Sequence, residues 1–335
     1  MGSIKHLDNK DIDLLIAKLN LLGYRCNSIT ANTENENIYV CCNDTNYIMI
    51  IPNDITDIEN LIEGKLLRVL AEKKIKFGED ITLKVYGGKS LKSLNGLFKN
   101  CRFKTLDLSD LDTSNVIIMA NLFDGCTAEY INLSNFNTSN VEDMSCMFDN
   151  CKADKLDLSD FNTSKVTDMA STFRGLVASS LNISSFDTSN VKDMSCMFSC
   201  FMVPDLDISN FDTHNVRNMR GMFYGCKLNR LDLSNFDTHN VTHMQFMFED
   251  CDIGKLDLSS VNLKSVRNME GMFMGLHTEY LDISNFVLHR SFNIIMLDGI
   301  NTYDMFKSSD IASIKLSKDK TILRRWKQRE VLENE

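Results

Sequence analysis

The string Leu106-Asp107-Leu108-Ser109 returns every 25 residues, in variants beginning at Ile131, Leu156, Leu181, Leu206, Leu231, Leu256 and Leu281. A fixed period of this length restricts the chain to a stacked repeat architecture, because one unit cannot bury its own apolar face. Aligned on the period, one column holds Met119, Met144, Met169, Met194, Met219, Met244 and Met269. A second holds Phe123, Phe148, Phe173, Phe198, Phe223, Phe248 and Phe273, and a third runs Phe136, Phe161, Phe186, Phe211, Phe236 between Leu111 and Val261. These columns absorb most of the 20 Phe and, with Met147, Met197, Met222, Met247 and Met272, 12 of the 18 Met. The chain is a solenoid whose unusual composition is its core.

Each unit reads alike. Alternation in Leu106-Asp107-Leu108 predicts a short strand with both leucines facing in. Asp112-Thr113-Ser114-Asn115 is turn chemistry. Val116, Met119 and Phe123 follow at i, i+3 and i+7, which predicts one short helical stretch, closed by Gly125 and Cys126. The period lies in the leucine-rich-repeat range, so the expected fold is an α/β-type leucine-rich-repeat solenoid of short parallel strands and short helical segments.

The run Leu231-Asp232-Leu233-Ser234-Asn235-Phe236-Asp237-Thr238, followed by Asn240-Val241, Met244, Met247-Phe248 and Cys251, resembles the BspA-like leucine-rich repeats in their 25-residue, mycoplasma-type form. The resemblance covers about residues 81–317. It implies a right-handed leucine-rich-repeat solenoid and, commonly, surface proteins that bind proteins of a host or neighbouring cell.

The units decay toward both ends. A degenerate first unit spans 81–105, regular units 106–280, and a degenerate last unit 281–317 with about eight extra residues placed near Asp298-Gly299-Ile300-Asn301. Residues 318–335 form a basic segment in which Thr321 to Glu335 reads as a helix, with Ile322, Leu323 and Trp326 on the side that covers the open end of the stack. Residues 1–80 read as a small α+β domain. An amphipathic helix carries Ile12, Leu15, Ile16, Leu19 and Leu22, a hairpin pairs Asn37–Cys42 with Tyr47–Ile51, and a second helix runs from Ile55 to Lys74.

A net charge of −10 argues against nucleic acid as the partner. The longest apolar stretch, Tyr47 to Pro52, falls far short of the ~20 residues a membrane span needs. No apolar export core follows Met1, and the 11 cysteines recur by column rather than in bridging pairs, so a reducing cytoplasm is the expectation.

Chemistry is sought in the columns that point outward. Asp207, Asp232, Asp257 and Asp282 form an uninterrupted acidic ladder on the strand face, expected to be concave, with Arg230 and Lys255 each two residues before an Asp. Tyr130 and Tyr280 share that face and suit a protein interface. The ladder reads as a solvated sheet surface, as an acidic face for a basic partner, or as a divalent-cation ladder. The Ser column (Ser109, Ser134, Ser159, Ser184, Ser209, Ser234, Ser259, Ser284) is too repetitive to be a nucleophile and is expected to bond the adjoining turn. Asn115, Asn140, Asn190, Asn215 and Asn240 are expected to tie backbone groups between coils. Cys146 and Cys196 share a column two units apart, too distant to bridge. His214, His239 and His243 could bind zinc, yet the repeat places no carboxylate or thiol to complete a tetrahedral site, so surface imidazoles are expected. Lys318, Lys320, Arg324, Arg325, Lys327 and Arg329 read as a solvated helix face.

No cofactor or metal site, phosphate loop or catalytic triad is evident, and repeats supply an extended surface rather than a pocket. The expected function is therefore non-enzymatic protein–protein interaction, as an intracellular bacterial or viral effector, sensor or scaffold. The alternatives are an exported adhesin and an N-terminal effector domain targeted by the solenoid.

Overall fold

The 25-residue units wind into a parallel β-solenoid of about eight turns, seen in a computed structural model that describes residues 28–31, 38–41, 46–51, 82–287 and 302–332. The alternation read from the sequence makes the strands. Strand β7 (Lys155–Asp157) buries Leu156 between exposed Lys155 and Asp157, and it pairs in parallel with β8 (Ser180–Asn182), Leu156 opposite Leu181. In the same register β11 (Lys255–Asp257) pairs with β13 (Tyr280–Asp282), and β13 with β15 (Ile314–Lys315), where Leu281 faces Ile314. The last coil is thus longer by eight residues; the position expected for the insertion lies outside the described residues.

The expected helical stretch is not a helix. Across residues 119–126 the amides of Met119, Asn121, Phe123 and Gly125 donate to Asp143, Ser145, Met147 and Asp149 of the next coil, at 2.7 to 2.9 Å. The alternate amides of Leu122, Asp124 and Cys126 donate three residues back, to Met119, Asn121 and Phe123. An α-helix needs bonds four residues back, whereas this is a ribbon of overlapping turns. Asn121 and Gly125 have φ of 57° and 65° at the third position of their turns, as type II geometry requires. Val116, Met119 and Phe123 still all point inward, which is why their spacing imitated a helix. The leucine-rich-repeat detail is corrected accordingly: among the described residues the repeats carry no α-helix.

Nine phenylalanines, Phe98, Phe123, Phe148, Phe173, Phe198, Phe223, Phe248, Phe273 and Phe306, stack ring on ring through the core, with centroids 5.0 to 5.9 Å apart. Phe103 meets one end of the stack edge-on at 6.1 Å, and Trp326 the other at 5.3 Å. Such geometry suits the ring quadrupole, positive edge to negative face. Trp326 is delivered by helix α1 (Lys320–Leu332), whose first turn is capped by Asp319 through the Thr321 amide at 2.8 Å. Ile322 of the same helix is fully buried.

At the other end, the hairpin appears as β2 (Ile38–Cys41) and β3 (Asn46–Ile51), with β1 (Ser28–Ala31) antiparallel to β2. Strand β3 then pairs in parallel with β4 (Thr82–Gly87), which pairs with β5 (Arg102–Leu111) and through it β6 (Thr127–Asn132). One six-stranded sheet therefore runs from the hairpin into the first coils. The helices expected at 12–22 and 55–74 lie outside the described residues.

Side chains lock the corners. The Asn column behaves as anticipated: Asn115, Asn140, Asn190, Asn215 and Asn240 each donate to a carbonyl of the preceding coil at 2.7 to 2.8 Å. A buried Thr column had gone unnoticed. The Thr188 hydroxyl donates to the Asp212 carbonyl and accepts from the Asp212 amide, both at 2.8 Å, and Thr113, Thr138 and Thr163 repeat the exchange. One hydroxyl thus does the work of a backbone ladder where the chain turns away from strand geometry.

Candidate functional site

The strand face carries all eight outward residues singled out in the sequence, but gives them unequal roles. Asp207, Asp232, Asp257 and Asp282 each accept the amide of the Ser two residues on, at 2.9 to 3.0 Å. These are Asx turns, and Asn132 and Asn182 make the same bond in their own coils. The acidic ladder is thereby a structural column as well as a charged surface. The Ser209 and Ser234 donors draw the Asp207 and Asp232 carboxyls below their ordinary range. The Ser column is the donating half of these turns.

The end of the ladder is closed off. Asp282 is 3% exposed, and Lys315 meets its carboxylate at 2.9 Å. Burial pushes its pKa up, but the Ser284 donors and Lys315 outweigh it and bring the group down to about 2. The Tyr280 hydroxyl donates to Asp282 at 3.3 Å, and Lys255 sits 5.4 Å from the centre of the Tyr280 ring. Arg230 pairs with Asp232 at 3.1 Å on the exposed surface. Asp207, Asp232, Asp257 and Arg230 therefore remain presented to solvent, whereas Asp282 does not.

Tyr130 is different. It is 53% exposed and borders a shallow groove of about 680 Å³, whose walls include Phe103, Ala128, Ala153 and Val177. Val177 is 37% exposed, and Met202, bridged to it in the next coil, is 66% exposed. Their column faces outward in every coil, holding Lys152, Lys227, Asp252 and His277 elsewhere, and the strand ladder is interrupted beside them. At equivalent positions the Asp154, Ser179 and Glu279 amides donate to the coil before, but Pro204 has no amide hydrogen. Among the described residues, strands on this face stop at Asn182 and resume at Lys227, with only the Val177–Met202 bridge between them. Leu181 and Leu206 are only partly buried here, whereas Leu106, Ile131, Leu156, Leu231, Leu256 and Leu281 of the same column are buried. Only a lone Pro and two apolar residues in an outward column could have signalled this seam from sequence.

Other candidates resolve toward structure. Cys101, Cys126, Cys151, Cys226 and Cys251 are free and buried, and burial raises the Cys101 and Cys151 thiols to about 12, so neither is a ready nucleophile. Cys146 and Cys196 are half-buried, with thiols also pushed up by burial. Lys320, Arg324 and Lys327 lie exposed on α1. Among the described residues no group of three or more His, Cys, Asp or Glu is arranged to hold a metal ion, and no helix is long and apolar enough to cross a membrane.

The turn ribbon holds one pattern that sequence reading overlooked. Positions 100, 125, 150, 175, 200, 225, 250 and 275 all have positive φ and read Asn, Gly, Asn, Gly, Cys, Gly, Asp, Gly. Each side chain leans over the next coil: a Cβ at Gly125, Gly175 or Gly275 would lie 2.2 to 2.5 Å from an oxygen of Asn100, Asn150 or Asp250. At Gly125, Gly175 and Gly275 a side chain would displace the one leaning over it, Gly225 is less crowded with Cys200 Sγ at 3.2 Å, and the true period of this edge is two coils.

The chain matches the family described as "Mycoplasma protein of unknown function, DUF285" in three overlapping spans, residues 92–202, 169–286 and 202–314. No curated protein and no solved structure matches it.

Proposed function

We propose, on the premise that the chain belongs to this DUF285 family of mycoplasma repeat proteins, that it is a non-enzymatic binding module presenting its strand face to a protein partner. The observation that carries this reading is the exposed apolar group Tyr130, Val177 and Met202 on a face whose other exposed side chains are mostly polar or charged. Exposed aromatic and Met side chains are favoured where protein surfaces meet, and they gain most when water is excluded from them. The neighbouring carboxylates of Asp207, Asp232 and Asp257 supply a polar rim that favours a partner with basic groups. Cytoplasmic residence fits the free thiols.

The test is capture of partners from the native host by the full chain and two variants. Tyr130→Ser/Val177→Ser/Met202→Ser removes the apolar group. Asp207→Asn/Asp232→Asn/Asp257→Asn removes charge while keeping the Asx turns, as Asn132 and Asn182 do. Loss of one specific protein in both variants is expected; undiminished capture by both would overturn the reading.

A further inference from the structure

We propose that His214 and His239 form an exchangeable two-ligand site for a divalent transition-metal ion of the zinc type. The two imidazoles stand one coil apart in the same column, which holds Ser114, Ser139, Ser164, Ser189 and Lys264 in the other regular coils. Their coils are tied together at these residues. Thr213 donates to the Asp237 carbonyl at 3.0 Å, and Asn240 donates to the His214 carbonyl at 2.8 Å. Both side chains are about half exposed, so an ion can reach them.

Each ring is held from behind by a carboxylate. His214 Nδ1 lies 2.7 Å from Asp212, and His239 Nδ1 lies 2.6 Å from Asp237. A carboxylate accepts, so in the neutral ring the proton sits on Nδ1 and the lone pair is left on Nε2. Metal-bound histidines are commonly held this way, with a carboxylate on the far ring nitrogen that fixes ring orientation and raises ligand basicity. The His214 Nε2 lone pair already has a donor in reach, the Asn215 amide nitrogen at 2.8 Å, which a metal ion would displace.

Zinc bonds of about 2.0–2.1 Å require the two Nε2 atoms to stand roughly 3.3 Å apart. Rings translated by one coil, about 4.8 Å, reach that separation by tilting toward each other about the Nδ1–carboxylate contacts. Water completes the coordination sphere, as in an open site. The carboxylates that the repeat did not offer as ligands thus act one shell out.

Calorimetric titration of zinc chloride into the full chain near neutral pH tests the site, with His214→Gln, His239→Gln, His243→Gln and His277→Gln variants. One zinc per chain is expected, lost in His214→Gln and in His239→Gln, and kept in the other two. Asp237→Asn is expected to weaken binding about 10-fold through the lost orienting carboxylate. In the unsubstituted protein, the imidazole NMR resonances of His214 and His239 should shift together as zinc is added. Binding that survives either first pair variant, disappears equally in His277→Gln, or shifts only one of the two imidazoles would overturn the proposal.

Discussion

Arg174 holds Asp149 from the neighbouring coil in a two-pronged pair, Nε 2.9 Å from Oδ1 and Nη2 against Oδ2, and Asp149 is almost wholly buried. The hydrogen bond to Asp149 raises the Arg174 pKa further. With Arg174 gone, only the Asn150 amide is left on that carboxylate. Arg174→Ala is therefore expected to cost about 2 kcal/mol in urea unfolding, at the low end for a broken buried pair because Arg174 is half exposed. Arg174→Lys should fall between, retaining charge but not the fork.

Thr188→Val preserves shape and deletes one hydroxyl. Both the amide and the carbonyl of Asp212 then lose their partner. A loss of roughly 1–3 kcal/mol is expected, whereas Thr188→Ser should retain most of the stability; chemical denaturation of the three proteins decides.

Gly175 has φ of 62°, and its missing Cβ would sit 2.5 Å from Asn150 Oδ1. Gly175→Ala should destabilise by about 1–2 kcal/mol from the left-handed backbone alone, and by more from the collision. In an Asn150→Gly background the collision disappears. A double-mutant cycle should therefore show favourable coupling, and strict additivity would contradict the two-coil period.

Asp143, Asp168 and Asp193 stack on adjacent coils, and Asp168 has its pKa raised, first by burial and then by these two neighbours. A carboxyl with a raised folded-state pKa opposes folding when ionised, and the penalty vanishes once acid protonates it in both states. Asp168→Asn keeps the acceptor for the Ala170 amide, as Asn218 does for Arg220. The substitution should stabilise by roughly 0.2–1 kcal/mol at neutral pH, with the gain shrinking as pH falls through the raised folded-state value and lost below the ordinary value of 3.8. Thermal melts across pH would read this directly.

The columns of Leu, Met and Phe were legible because burial repeats wherever the coil repeats, and helix α1 was legible from Ile322 and Trp326. The turn ribbon was not, since Met119 and Phe123 face the core in either conformation. The discriminating signal lay in residues without apolar character: Gly125, Gly175, Gly225 and Gly275 alternate with Asn, Cys and Asp where a helix would have no use for them. The acidic ladder was read from charge alone, although the Ser following each Asp marked an Asx turn. Asp282 escaped because its partner Lys315 belongs to the irregular last coil, 33 residues away. Asp212 and Asp237 were visible beside the histidines, but only bond geometry revealed that they grip Nδ1.

Pro204 gives the molecule a fracture line. Each coil is bonded to its neighbours alone, so tension applied along the stack passes through every interface in series, and a series yields at its weakest member. The coil-to-coil bonding missing beside Pro204 makes that member the one near the middle of the chain. Pulled from its ends in an optical trap, the protein should open there first and leave two shorter stacks intact. Pro204→Ser, which restores the amide hydrogen that Ser179 carries, should raise the force of that first event; an unchanged force would place the weak joint elsewhere.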